Sequence, residues 1–192
     1  LSNYNYQYFS TEIPENTDYE KLNYTQYLKG EKAFRIMIYS KIPCKKFFEI
    51  IDDKTSLALE FATELGDIVI YATIIGTRFK ENPFAKNELE NCLKDCENIY
   101  QKNPNMFIIG DLNTSFLEYE KAYSINCETT ESLKKLIKNL NLFNATEKIP
   151  KNIDHIIIPK KLEKNLIESK IFVEKGNLSD HQGIYIELNS IK

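Results

Sequence analysis

Tryptophan is absent from this 192-residue sequence, and arginine and histidine occur only twice each, as Arg35, Arg78, His155 and His181. Positive charge is therefore almost entirely lysine. The 25 lysines and arginines are outweighed by 28 aspartates and glutamates, which leaves a net charge of −3. This balance lacks the strong basicity that by itself indicates nucleic-acid binding. It does not exclude a nucleic-acid substrate, because an enzyme can be basic locally or can recruit a metal cation.

The four cysteines have no Cys-x-x-Cys spacing; they are Cys44, Cys92, Cys96 and Cys127. This favours buried thiols in a reducing compartment over a disulfide framework or a zinc site. The sequence also lacks an apolar run as long as a membrane span, and no signal peptide is visible. We therefore expect no membrane span and favour a cytoplasmic location. Nothing in the sequence indicates an oligomeric state.

Apolar periodicity predicts two helices among several strands. One helix runs from about Pro83 to Gln101, with Pro83 in its first turn, and the other from about Thr130 to Asn141, capped by Thr129 or Thr130. The predicted strands are short apolar or alternating runs: Ala33–Ser40, Ser56–Ala62, Asp67–Thr73, Met106–Ile109, Ile153–Ile158, Glu168–Val173 and Gly183–Leu188. Residues 1–32 are polar and rich in tyrosine, and we expect loops and short edge structure there.

The order of these elements bears on the fold class. A doubly wound parallel sheet needs regular alternation of strands and helices. Here several strands follow one another with short gaps, which favours mixed, mostly antiparallel sheets, two of them face to face with helices outside. No internal repeat or linker is visible, so residues 1–192 are predicted to form a single domain.

Each histidine directly follows an aspartate, in Asp154-His155 and Asp180-His181, and a third polar group, Gly110-Asp111-Leu112-Asn113, closes an apolar run. All three groups lie at predicted strand ends or in the adjacent turns, where a scaffold can hold catalytic side chains rigidly. Histidine titrates near neutrality and carboxylates bind hard metal ions, so the pattern points to acid–base or metal chemistry. Taken singly, each group also fits an ordinary turn, a cap or a surface hydrogen bond.

Together and in this order, the groups resemble the endonuclease/exonuclease/phosphatase superfamily, which has the deoxyribonuclease I-like fold. The resemblance covers about residues 34–188. The segments that carry it are Phe-Ile-Ile-Gly-Asp-Leu-Asn (107–113), Ile-Asp-His-Ile-Ile-Ile (153–158), Ser-Asp-His (179–181) and, less closely, 38–43 and 68–76. It implies a four-layer αββα sandwich of mixed, mostly antiparallel sheets. It also implies hydrolysis of a phosphodiester or phosphomonoester, by a nuclease or a phosphatase that depends on Mg²⁺ or Mn²⁺.

The resemblance also implies roles for particular residues. Asp111 would orient or deprotonate the attacking water, and Asn113 would hydrogen-bond to the phosphate or to Asp111. Asp180 would help to hold the metal ion. His181 would contact the phosphate as an imidazolium or act as a base, with Asp154 fixing its tautomer. His155 matches no catalytic position of the family, and we interpret it as structural.

The sequence departs from the family in two places. Thr73-Ile74-Ile75 stands where the family commonly has Thr-His-Leu; Arg78 is a candidate substitute at the phosphate, with an ordinary surface arginine as the alternative. The family's N-terminal Asn and Gln-Glu motifs, which include a metal-ligand Glu, are not recognisable before residue 34. We therefore expect either an N-terminally truncated domain whose remaining ligands lie on another segment, or a degenerate member that acts as a non-catalytic binding module.

Overall fold

The computed structural model of the chain describes residues 3–12, 34–76, 84–176 and 179–189. The strands in these ranges are β1 (Tyr6–Phe9), β2 (Met37–Ser40), β3 (Cys44–Phe47), β4 (Ser56–Thr63), β5 (Gly66–Ile74), β6 (Met106–Asp111), β7 (Leu142–Asn144), β8 (Asp154–Pro159), β9 (Leu166–Val173) and β10 (Gly183–Leu188). The helices are α1 (Phe84–Lys102) and α2 (Cys127–Asn139), with 3-10 segments at Glu118–Tyr123 and Lys160–Asn165.

A six-stranded sheet in the order β3-β4-β5-β6-β8-β7 forms the centre of the molecule. Its strands pair antiparallel except for β5 and β6, which are parallel. A parallel pair needs a crossover connection, and α1 lies between β5 and β6 in the chain. The expectation of mixed, mostly antiparallel pairing is confirmed.

The central sheet is covered on both faces, as alternation along its strands requires. On β6, Met106 and Ile108 pack into the core formed with α1 and α2, where Cys96, Ile99 and Leu133 are buried. Phe107 of β6 points to the opposite face and packs there with Ala145, Ile158 and Leu162. Side chains of β6 therefore contribute to two cores, one on each side of the sheet.

Two antiparallel hairpins, β1–β2 and β9–β10, cover the face opposite the helices. Tyr8 and Ile38 of the first hairpin pack against the core that contains Leu59. Ile186 and Leu188 of the second pack against the core that contains Ile158. The layers run from helices to the central sheet to the hairpins, which is the predicted arrangement of two strand layers face to face. In the described ranges, α1 and α2 both lie on the outside of the central sheet.

Local boundaries differ from the sequence prediction in a few places. Helix α2 begins at Cys127, and its cap is Asn126, whose Oδ1 accepts a hydrogen bond from the Thr129 amide at 2.7 Å. The predicted caps were therefore wrong, because an asparagine three residues upstream already satisfies that amide. The sequence prediction also missed β3, which carries two lysines, and β7, which has only three residues. Pro83 lies outside the described residues.

All four cysteines are free. Cys92 and Cys96 are buried, which confirms the expectation for this pair, whereas Cys127 is exposed at the start of α2. A search of the helices in the described ranges found none that is long and apolar enough to cross a membrane.

His155 is buried in a polar network that joins three segments of the chain. Its Nε2 lies 2.8 Å from the Thr114 carbonyl oxygen, and its Nδ1 lies 3.1 Å from Asn144 Nδ2. Because a carbonyl oxygen only accepts, Nε2 carries the proton and Nδ1 accepts from the amide. Phe116 packs edge-on against the ring, with 4.7 Å between the ring centroids. The histidine thus ties β8 to β7 and to the loop after β6, as its structural interpretation requires.

This network predicts loss of stability in acid. Burial lowers the pKa of His155 to about 4, against 6.5 for the exposed side chain. Between these values the His155 side chain therefore binds a proton in the unfolded chain but not in the folded one, and the contribution of His155 to the free energy of unfolding falls as pH drops from about 6.5 to about 4. Across this pH range, the shift in the pKa of His155 changes the free energy of unfolding by about 3 kcal/mol.

Urea denaturation of the wild type and of His155→Gln across this pH window measures the effect. The difference in unfolding free energy between the two proteins should shrink as pH falls. Glu90→Gln, which changes an exposed side chain of α1, should leave the wild-type trend in place. Equal slopes for the wild type and His155→Gln would contradict the assignment.

Candidate active site

Two carboxylates meet where β6 ends and β8 begins. Asp111 is the last residue of β6 and Asp154 the first of β8, and the antiparallel register makes them direct partners. Gly110, just before Asp111, has a φ of +145°, and a Cβ there would collide with the carbonyl oxygen of Thr73 on β5. A glycine is required at this position for β5 and β6 to approach closely. The Gly-Asp pair of the sequence therefore has a geometric reason.

Asn113 holds the Asp111 carboxylate in place. The Asn113 amide N–H donates to Asp111 Oδ1 at 2.9 Å, and its Nδ2 donates to Asp111 Oδ2 at 3.1 Å. Nδ2 also donates to the Ile75 carbonyl oxygen at 3.0 Å. The two partners of Nδ2, Asp111 Oδ2 and the Ile75 carbonyl oxygen, both accept hydrogen bonds. They fix the orientation of the side-chain amide and engage both of its hydrogens. The sequence predicts that Asn113 bonds either to the phosphate or to Asp111, and the structure contains the hydrogen bond to Asp111.

His181, in the turn before β10, contacts Asp154 from the hairpin layer. Its Nδ1 lies 2.8 Å from Asp154 Oδ2. Burial opposes protonation of His181, but the hydrogen bond to Asp154 and the charges of Asp154, Asp111 and Asp180 together raise the pKa of the imidazole. One ligand atom each from Asp111, Asp154 and His181 lies within 4.8 Å of the others. The structure therefore brings together three residues that are widely separated in the sequence.

The site carries an excess of negative charge. Burial and then the neighbouring Asp154 raise the pKa of Asp111 to about 7, and burial also raises the pKa of Asp154. Asp180 is exposed and lies outside the closest group, yet its charge raises the pKa of both other aspartates. In the described part of the chain, no lysine or arginine forms an ion pair with these three carboxylates. Three clustered carboxylates, one of which is paired with an imidazole, fit a divalent cation.

A cleft of about 620 Å³ opens beside the carboxylates, between the first hairpin and the central sheet. Consecutive residues from Arg35 to Ser40 form one wall, and Ile70, Ile74 and Ile109 contribute to its apolar lining. Arg35–Ser40 contains no carboxylate, so this wall offers no acidic ligand to the site.

The remaining sequence predictions fall near the site or outside the described residues. Ile74 is the register partner of Asp111, so the position that lacks the family's histidine lies directly beside the carboxylates. Arg78 lies outside the described residues. Sequence reasoning missed the carbonyl oxygen of Ile75 as a partner of Asn113, because a backbone acceptor leaves no signal in residue identity.

Comparison with known proteins yields structural matches only: no protein-family model and no curated protein matches this sequence. The endonuclease domain of TRAS1, a telomere-specific non-LTR retrotransposon, matches with a TM-score of 0.67 and 13% identity over 97% of this chain and 81% of that one. The 3′ phosphatase NExo from Neisseria, bound to a product DNA hairpin, matches with a TM-score of 0.65 and 11% identity over 83% and 77%.

An AP endonuclease from Archaeoglobus fulgidus matches with a TM-score of 0.64 and 12% identity over 98% of this chain and 80% of that one. At these identities the likeness concerns the backbone arrangement. The layered sheets, the parallel pairing of β5 with β6 and these matches agree with the resemblance carried by the sequence motifs. The chain has the deoxyribonuclease I-like fold.

Proposed function

We propose that this protein is a divalent-metal-dependent phosphoesterase. The observation that carries the proposal is the contact of Asp111, Asp154 and His181 at the ends of β6, β8 and the turn before β10. A carboxylate, an oriented imidazole and a second carboxylate supply a base, a cationic donor and its orienting group. Phosphoryl chemistry needs little more than such positioning and charge.

Asp111 is assigned the role of orienting and deprotonating the attacking water. Its pKa of about 7 lies near physiological pH, which suits a group that takes up a proton during the reaction. Asn113 binds both oxygens of this carboxylate and so limits its rotation. With both hydrogens of Nδ2 engaged, Asn113 is proposed to orient Asp111 and not to bind the phosphate directly.

His181 is assigned the contact with the phosphate. Asp154 accepts the hydrogen bond from Nδ1, so Nε2 is the nitrogen available to the substrate. The raised pKa favours the imidazolium near neutrality, and Nε2–H then donates to a phosphoryl oxygen. Asp154 keeps the ring orientation and stabilises its charge. This favours the imidazolium role over that of a general base.

Asp180 is proposed to help hold Mg²⁺ or Mn²⁺. When bound, the ion supplies positive charge that neutralises the phosphate oxygens. The unbalanced charge of the three aspartates supports this assignment. Arg78, a candidate phosphate contact from the sequence, remains a proposal because it lies outside the described residues.

Nucleic acid is the first substrate to test. The matched structures include an endonuclease domain, an AP endonuclease and a 3′ phosphatase bound to product DNA, although their sequence identities to this chain are 11–13%. The net charge of −3 argues against a strong, salt-dependent hold on long DNA. Short or single-ended nucleic acids and small phosphodiesters therefore belong in the same assay.

Hydrolysis should depend on Asp111 and His181. With Mg²⁺ or Mn²⁺, the wild type should cleave bis(p-nitrophenyl) phosphate or labelled DNA, and EDTA should abolish cleavage. Asp111→Asn removes the group that accepts the proton of the attacking water, and His181→Ala removes the hydrogen-bond donor to the phosphate. Each substitution should therefore lower kcat/KM by roughly 10²-fold or more. Steady-state rates with p-nitrophenyl phosphate as a monoester comparison measure these effects.

Asp67→Asn is the matched control, because Asp67 is an exposed aspartate that pairs with Lys45. It should keep the wild-type rate. Cleavage that persists both in EDTA and in His181→Ala would refute the proposed mechanism.

A non-catalytic binding module is the second candidate. Two observations favour it: the wall from Arg35 to Ser40 has no carboxylate, and Ile74 stands beside Asp111 where an imidazole donor is expected. On this reading the sandwich is retained and the metal site is not.

Metal binding separates the two candidates. Calorimetric titration of the wild type with Mn²⁺ and with Mg²⁺ should show one site per chain, because three aspartates, one of them paired with His181, lie near one another at the site. Asp180→Asn removes one carboxylate and should raise the Kd about tenfold or more, whereas Asp67→Asn should leave it unchanged. Absence of stoichiometric binding to the wild type would favour the binding module.

A further inference from the structure

Glu88 is a buried carboxylate that the proposed mechanism does not use. It lies on α1, one turn from the start of the helix, and only 5% of its surface is exposed. Burial of a carboxylate is unfavourable unless the group makes strong hydrogen bonds. Its placement therefore calls for a specific partner.

One such partner is the backbone where the chain leaves β5. Glu88 Oε2 accepts a hydrogen bond from the Gly76 amide N–H at 2.6 Å. Gly76 has a φ of +81°, so the chain turns sharply here and has left the strand, which ends at Ile74. A charge-assisted hydrogen bond from α1 thus fixes the turn in place.

The same turn contacts the candidate active site. Asn113 Nδ2 donates to the Ile75 carbonyl oxygen at 3.0 Å and approaches the Gly76 carbonyl oxygen at 3.5 Å. The Ile75 amide donates to the Asp111 carbonyl oxygen at 2.9 Å. Glu88 and Asn113 therefore hold the same short stretch of backbone, one from the helix layer and the other from the site.

We propose that Glu88 is a positioning residue for Asp111, acting through the turn at Ile75 and Gly76 and through Asn113. This inference rests on the proposed phosphoesterase function. Displacement of the turn releases one of the acceptors that orient the Asn113 amide. The Asp111 carboxylate then loses its fixed direction towards the attacking water. Small displacements of this kind lower turnover strongly while substrate binding is retained.

Substitutions at position 88 distinguish the effect of side-chain length from the effect of negative charge. Glu88→Gln keeps an acceptor oxygen at the same distance, and Glu88→Asp keeps the charge but is one methylene too short to reach the Gly76 amide. Glu88→Asp should lower kcat about tenfold or more with little change in KM, and Glu88→Gln should restore most of the rate. Glu90→Ala, which removes an exposed glutamate of the same helix, is the matched control and should keep the wild-type rate.

A double-mutant cycle tests whether the effect passes through Asn113. If it does, the double variant Glu88→Asp/Asn113→Ala should be no slower than Asn113→Ala alone. Without the Asn113 side chain, the loss of the Glu88 contact can no longer change the orientation of Asp111. A merely structural role would give additive losses and would overturn the inference. So would a Glu88→Asp rate equal to that of Glu90→Ala, or a Glu88→Gln rate as low as that of Glu88→Asp.

Amide hydrogen exchange provides a readout that needs no turnover. In the metal-free protein, Glu88→Asp should speed exchange at the Ile75 and Asn113 amides, and Glu88→Gln should not. If the wild type cleaves no phosphate ester, the proposed function fails while this measurement still decides whether Glu88 holds the site. Unchanged exchange at Asn113 in Glu88→Asp would overturn the inference on its own.

Discussion

The candidate site depends on one register, the antiparallel pairing of β6 with β8 that sets Asp111 opposite Asp154. Two like charges at this separation repel each other, and burial adds to the difficulty of ionising both. The surroundings offset this in two ways: His181 supplies a partner for Asp154, and Asn113 donates twice to Asp111. The strands β6 and β8 and the turn before β10 therefore meet around the negative charge of Asp111 and Asp154, which the pairing of β6 with β8 brings together.

The layered fold makes this register possible. Alternation along β6 and β8 sends Asp111 and Asp154 to the hairpin face, where His181 can reach them, and sends His155 to the helix face. The two Asp-His pairs of the sequence therefore separate by strand parity. The His155 network secures the loop that follows Asp111, so one histidine is part of the site and the other stabilises the backbone around it.

Much of this was predictable from residue identity. Apolar runs and alternation located the main strands and both helices, and the motifs around Asp111, Asp154 and His181 predicted which side chains would meet. The sequence could not predict β3 or β7, because Cys-Lys-Lys-Phe and a three-residue strand lack the usual apolar pattern. It also gave no sign of the turn at Ile75 and Gly76, where backbone atoms make the contacts.

Ile74 is one of the two departures from the family pattern that the sequence motifs resemble. The parallel register of β5 and β6 fixes its Cα as the partner of Asp111, and its side chain lines the cleft. Gly110 allows the two strands this approach whatever the side chain at position 74 is. The backbone that would carry an imidazole beside Asp111 is already in place, so at this position the missing donor is a difference of one side chain. A single substitution at such a position can add a catalytic side chain as well as remove one.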